Sequence, residues 1–499
     1  MTDSLLLAGA RLPGGALDDP LVDLLIEGGV VAKIAPSGDL VAAADVRVVD
    51  LDGRYAIPGL WDKHVHATQW ALVSRRLDLS ETASAADVAL LVGDRLRGAL
   101  APAAGETLVG HGFRDGLWPD APDRRLLDAV AGTRPVVLVS ADLHCCWLNS
   151  AALSLHGHEG HPSGLLREEE CFAVTRTLGL VEPTVLDGWV HDAAAAAAAR
   201  GVVGVVDLEM AWNLDDWTRR IRSGTTSLRV RFGVYPQHLD RAIELGLATG
   251  QPVEGTRGLL EVGPFKVITD GSLNTRTAYC FDEYPGLEGL ENSRGLLTVP
   301  YDELVPLLGR ATEAGFVPAV HAIGDHANRL VLDAFAELGV GGSVEHAQLV
   351  ADSDFSRFAE LGVTAGVQPE HAMDDRDVAD LYWSGRTSRA FALRSLLDAG
   401  AELALGSDAP VATLDPWMTM AAAVGRARDG RTPWHPEQSI SRQDALAASC
   451  DGRSILEAGS PADIAVVELD PFSASVDDLR RMPVAATLLA GRFTHDALS

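Results

Sequence analysis

Short apolar runs recur along this chain, and five of them end in or carry a residue able to bind a metal. LWDKHVH at 60–66 carries His64 and His66, and PFKVIT at 264–269 carries Lys266. FVPAVHA at 316–322 carries His321, GSVEHAQ at 342–348 carries His346, and LALGSD at 403–408 ends in Asp408. Runs of Val, Ile, Leu and Ala without polar alternation read as parallel strands buried on both faces. Four more such runs lie at 135–141, 201–209, 228–235 and 363–369. Helix-like segments separate them, the pattern of repeated βα units. The fold class is therefore α/β, a distorted (β/α)8 barrel. Nine candidate strands compete for eight places, so one is expected in an insertion or paired outside the barrel. The C-terminal strand ends of such a barrel converge on one mouth, which brings residues from 64 to 408 together.

The ends of the chain read differently. Short strand-like runs at 4–10, 21–34 and 46–57 are separated by turns at Gly14-Gly15, Gly28-Gly29 and Asp52-Gly53. PADIAVVELD at 461–470 and AATLLAGRFTH at 485–495 resemble them. The expectation is a composite β-sandwich from residues 1–57 and 455–499 around a barrel at 58–454, with an insertion at about 67–134 beside the mouth.

Composition narrows the partners. A formal net charge of −29 over 499 residues argues against nucleic-acid backbones and anionic membranes, which need basic patches. The first residues lack a basic stretch followed by a long apolar core, so no signal peptide is expected. No apolar run is long enough to read as a membrane span. The five cysteines, Cys145, Cys146, Cys171, Cys280 and Cys450, form no CxxC pair and suit a reducing cytoplasm. The expected partner is a small molecule, and the surface is compatible with a homodimer.

His64 and His66 lie two apart on a strand, so both face one side together with Asp62, while Lys63 faces the other. Neutral imidazole is the commonest metal-binding nitrogen, which makes His321 and His346 candidate ligands beside the pair. Asp408, in GSDAP, is read as a ligand and proton shuttle, against the plainer role of a helix N-cap. Glu345 points away from His346 by strand alternation and is expected to pack against a neighbouring element. The chain holds 41 basic residues, and only Lys33, Lys63 and Lys266 are lysines. A buried lysine amine loses its proton readily and can add carbon dioxide, giving a carbamate that bridges two metals; arginine cannot. The plainer alternative is a buried Lys266 paired with Asp270.

These stretches resemble the amidohydrolase superfamily, most closely the branch that includes N-substituted formamide deformylase and related metal-dependent hydrolases. The resemblance is carried by IPGLWDKHVH, DLHCCWLNSAAL, FKVITDGSLNTRTA, HAIGDHANRLVLDAF, VEHAQLVADSDFSRFAELGV, QPEH, LALGSDAPV and PADIAVVELDPF. It implies a barrel with a sandwich from both termini. It also implies His64, His66, His321 and His346 as ligands, Lys266 as a bridging carbamate and Asp408 as ligand and shuttle. The expected cofactor is a divalent metal, zinc by preference, one or two per chain. Lys63 departs from the family pattern, where a small residue is common between the Asp and the first His.

The pocket is expected to draw on Trp118, His144, Trp147, Asn149, Asp270, Arg276 and His371, each with a structural role equally open. Asp325 is a candidate to hold a ligating histidine by hydrogen bond. The functional expectation is hydrolysis of amide-type C–N bonds, with metal-activated hydroxide as nucleophile and Asp408 passing the proton. Hydrolysis of a cyclic imide, a lactone or an aminated ring at the same site stays open, as does a catalytically inactive scaffold.

Overall fold

The computed structural model describes residues 4–498 except 17–18, 41–42, 44–45, 99–100, 104, 114, 116–117, 141–144, 168 and 179–180. The chain divides into two compact units, Met1–Trp70 with Val190–Ser499, and Ala71–Trp189.

The first unit contains an eight-stranded parallel sheet. Its strands are β1 (Leu60–Val65), β2 (Val202–Asp207), β3 (Arg229–Val234), β4 (Leu260–Ile268), β5 (Pro318–Ala322), β6 (Gly342–His346), β7 (Val363–Val367) and β8 (Leu403–Leu405). They pair in sequence order from β1 to β8. Helices such as Asn213–Arg222, Tyr301–Glu313, Asp325–Leu338 and Pro416–Gly425 connect successive strands or follow the last. The sheet closes just past β8, where the Asp408 N–H donates to the His64 carbonyl at 2.7 Å and the His66 N–H to the Ala409 carbonyl at 2.8 Å. Strands such as VVGVVD are buried on both faces, which is why they lack the polar alternation of a half-exposed sheet.

Two four-stranded sheets from the chain ends form the sandwich. One pairs Val30–Pro36, Val22–Glu27, Leu5–Ala10 and Arg47–Asp50; the other pairs Arg492–Asp496, Val484–Leu489, Ile464–Val467 and Tyr55–Pro58. Tyr55–Pro58 runs antiparallel to Ile464–Val467, with Val466 opposite Ala56. Leu5, Leu7, Leu24 and Ile26 of one sheet share a core with Ile464, Val466 and Leu488 of the other. This buried apolar area holds the two termini together.

The second unit has a five-stranded sheet of Leu165–Arg167, Cys145–Leu148, Val136–Ser140, Leu108–Phe113 and Leu77–Asp78. The candidate strand at 135–141 therefore belongs here and not to the barrel. Its run VVLVS is wholly buried, so nothing in its pattern separated it from a barrel strand. The unit spans Ala71–Trp189, which extends the insertion expected at 67–134. All five cysteines are buried and none forms a disulfide. Among the described residues no helix is long and apolar enough to cross a membrane.

Candidate active site

The structure brings His64, His66, Lys266, His321, His346 and Asp408 to one cavity of about 470 Å³. His64 and His66 come from the end of β1, Lys266 from β4, His321 from β5 and His346 from the last position of β6; Asp408 follows β8. The His346 ring centre lies 5.0 Å from that of His64 and 4.5 Å from that of His321. Asp408 Oδ1 lies 3.2 Å from His66 Nε2 and 3.6 Å from His64 Nε2. Ligand atoms of His64, His346 and Asp408 fall within 4.8 Å of one another.

The backbone is bent to achieve this. His346, Ala347 and Asp408 adopt φ of +76°, +40° and +57°. Non-glycine residues avoid that region, at a cost on the order of 1–3 kcal/mol each, and such strain clusters at functional sites. At His346 the left-handed turn ends strand alternation. The expectation that Glu345 packs away from His346 is corrected for that reason. The Glu345 carboxylate instead accepts a hydrogen bond from His64 Nδ1 at 2.7 Å and one from the Ser343 hydroxyl at 2.5 Å. Gly366 on β7 leaves it room, since a Cβ there would stand 2.6 Å from Glu345 Oε2.

A second carboxylate plays the same part for His321. Asp270 accepts from His321 Nδ1 at 3.0 Å, and from the N–H groups of Tyr279 and Gly324 at 2.9 Å each. It does not pair with Lys266. A carboxylate accepts these bonds, so Nδ1 is the donor in both rings and Nε2 is the nitrogen left to face a metal. That is the arrangement in which a histidine binds a metal. Asp325 holds no ligating histidine. At the start of its helix it takes the Phe281 N–H at 3.0 Å and Arg389 at 3.4 Å.

Charge states follow from burial and neighbours. Burial pulls His64 and His346 down, so both are neutral at pH 7. Burial also pulls down His66, but the hydrogen bond and charge of Asp408 outweigh it and raise the group. Burial would raise Asp408, yet the surrounding imidazoles hold it well below the carboxylate range. Burial brings Lys266 down to about 8, against the charges of Glu345 and Asp408. The Nζ of Lys266, with 1% exposure, has no hydrogen-bond partner, and neither do His66 Nδ1 and His346 Nδ1. Neutral imidazoles, an ionised aspartate and polar atoms left over are a donor set that fits a divalent cation.

The remaining expected pocket residues divide. His371 lines the cavity, with Nε2 3.9 Å from Asp408 Oδ2. Arg276 is not among the lining residues; its guanidinium lies over the Tyr382 ring, 5.4 Å from the centre. Trp118, Trp147 and Asn149 belong to the 71–189 unit. Trp147 is fully buried in that unit's core. Asn149 caps the helix Ser150–Leu155 through the Ala152 N–H. Trp118 donates Nε1–H to the Thr82 carbonyl at 3.3 Å. His144 lies outside the described residues. The cavity adds Gln348, Asp374 and Asp375, which the sequence reading did not single out. The available signal was that Pro369–Tyr382 begins directly after β7, so its first turns face the mouth.

A sequence profile described as "Amidohydrolase family" matches residues 47–495. Protein LONG AFTER FAR-RED 3 of Arabidopsis thaliana is 28% identical over 80% of this chain and 74% of its own length. N-substituted formamide deformylase of Arthrobacter pascens is 26% identical over 95% of this chain and 94% of its own. The crystal structure of a metal-dependent hydrolase from Pyrococcus horikoshii superposes with a TM-score of 0.77 at 24% identity, over 95% of this chain and 99% of that one.

Proposed function

The chain belongs to the amidohydrolase family, and from that premise we propose that it hydrolyses amide-type C–N bonds with a divalent metal, zinc by preference. His64, His66, His321, His346 and Asp408 are the proposed ligands. The observation that carries the reading is the convergence of four imidazoles, the ionised Asp408 and the unpartnered Lys266 amine on one cavity. The name of the Arthrobacter relative supports an N-acyl amine as the substrate class.

A divalent cation bound there supplies Lewis acidity, polarising a carbonyl and making water acidic near neutral pH. Asp408 accepts the proton from the attacking water and delivers it to the departing nitrogen. Glu345 and Asp270 fix the tautomer and orientation of His64 and His321. The Lys266 amine, brought down to about 8 by burial, is the proposed site of carbon dioxide addition. Nζ forms a bond to the carbon while one C–O π bond gives its electron pair to oxygen and the amine releases a proton, and the resulting carbamate would offer anionic oxygen to a bound cation.

The test offers metal-loaded protein an N-substituted formamide, a cyclic imide, a lactone and an aminated heterocycle. Formate release that a chelator abolishes is expected, with Asp408→Asn lowering kcat about 10²–10⁴-fold. Turnover of only another class would replace the amide reading. No turnover of any, with metal bound, would leave a non-catalytic protein.

A further inference from the structure

Apart from the metal proposed above, the cavity has little with which to meet an anion. Among its described lining residues there is no arginine, and its one lysine is the buried Lys266. Three carboxylates line it, Asp374, Asp375 and Asp408. Asp408 lies against His66 and His64, and Asp374 takes the Arg428 guanidinium at 2.6 Å. Asp375 has no arginine or lysine partner among the described residues, and the neighbour whose charge favours its ionised form is His371. Its Oδ1 accepts an amide N–H from Asn274 at 2.8 Å and its Oδ2 one from Gln348 at 3.4 Å. Burial pushes it above the usual aspartate value, against the Asn274 and Gln348 amides and the neighbouring His371.

Position adds to charge. Asp375 follows His371 by four residues on the helix Pro369–Tyr382, so the two share a face about one turn apart. His371 is 7% exposed, and its Nε2 has no hydrogen-bond partner although it lies 3.9 Å from Asp408 Oδ2. The cavity therefore runs from Asp408 past the His371 imidazole to the Asp375 carboxylate. Met210, Leu273, Ile323 and Val411 supply apolar wall.

We propose that this cavity selects substrates that carry a cationic amine or amidine on an apolar spacer, and that Asp375 recognises the cation. That such ligands are substrates rests on the hydrolase reading above; the charge preference is a property of the cavity. A cation about one helical turn from the scissile bond meets Asp375, whereas a carboxylate at the same point meets repulsion.

The experiment compares binding of n-hexylammonium and n-hexanol to the full-length metal-loaded protein by calorimetry. Wild type should bind the ammonium at least about tenfold more tightly than the alcohol. Raising salt from about 0.05 M to about 0.5 M should erode that advantage. Asp375→Asn should abolish it and leave hexanol binding unchanged, while Asp375→Glu, which keeps the charge, should retain most of it. Equal affinity for ammonium and alcohol, a preference that survives in Asp375→Asn, or no binding of any probe would overturn the inference. Formate release from mono-N-formylputrescine and N-pentylformamide is read separately. Release from neither, with the ammonium preference intact, sinks the hydrolysis reading alone. Release from both with equal kcat/KM sinks the charge preference alone.

Discussion

His64 Nδ1 donates to Glu345 Oε2 at 2.7 Å, joining the first strand of the barrel to the sixth. Burial would raise Glu345, but the hydrogen bonds from His64 and Ser343 help bring it down to about 2, so the acceptor is ionised. Glu345→Gln keeps the volume and loses the charge. Removing such a partner weakens a metal site about 10–100-fold. Competition with a fluorescent chelator should show that loss, with the fold intact by circular dichroism. Wild-type affinity in the variant would make Glu345 a packing residue only.

Lys266 separates a binuclear from a mononuclear centre. Lys266→Ala and Lys266→Arg both remove the capacity to form a carbamate, and Arg also keeps a positive charge. Elemental analysis of protein purified without chelators should find about two metals per chain in wild type and one or fewer in either variant. About one in all three would take Lys266 out of the ligand set and leave the histidines and Asp408 to hold a single ion.

Gly406, just past β8, lies against β1. A Cβ there would lie 2.7 Å from the His64 backbone nitrogen and 2.8 Å from its Cβ, both parts of a closed barrel. Neither neighbour is a flexible side-chain end, so Gly406→Ala must displace β1. Overpacking of this kind costs about 1–3 kcal/mol. Thermal unfolding should fall accordingly, and metal affinity should fall with it because His64 moves. A variant that unfolds like wild type and binds metal as tightly would refute the close approach as a constraint.

The barrel and the convergence of its candidate ligands on one cavity were legible because each feature was local: an apolar run followed by a histidine, lysine or aspartate. What lay hidden was non-local or broke a local rule. The run at 135–141 is buried on both sides in its own sheet, so pattern alone could not exclude it from the barrel. Glu345 was placed on the wrong side because alternation was extended through His346, where φ is +76°. Asp270 reaches His321 because β4 and β5 pair with Ile268 opposite His321, a register that spacing does not reveal. Asp375 looked like one of several acids on a polar helix. Asp374 lines the same cavity, and its ion pair with Arg428, which sequence spacing does not reveal, is what sets Asp375 apart.

Asp23 should make the stability of the sandwich pH-dependent. It is 3% exposed; its Oδ1 accepts from the Gly9 N–H at 2.9 Å and the Ser37 hydroxyl at 2.8 Å, and its Oδ2 from the Gly38 N–H at 2.9 Å. Burial raises its pKa, but the three hydrogen bonds win and hold it below the ordinary 3.8. A carboxylate depressed in the folded state stabilises the fold above its unfolded pKa and loses that stabilisation as pH falls through its folded one. Asp23→Asn sets an amide donor against one of these N–H groups. At pH 7 the variant should be less stable by about 1–3 kcal/mol, as hydrogen bonds to a charged group predict. That gap should stay level down to about pH 5 and close below about pH 4, where wild-type Asp23 takes up its proton. Comparing denaturant midpoints of the pair at each pH cancels the titration of the other carboxylates, which both proteins share. A gap that persists unchanged at about pH 3, or none at pH 7, would show that the Asp23 charge does not hold these turns.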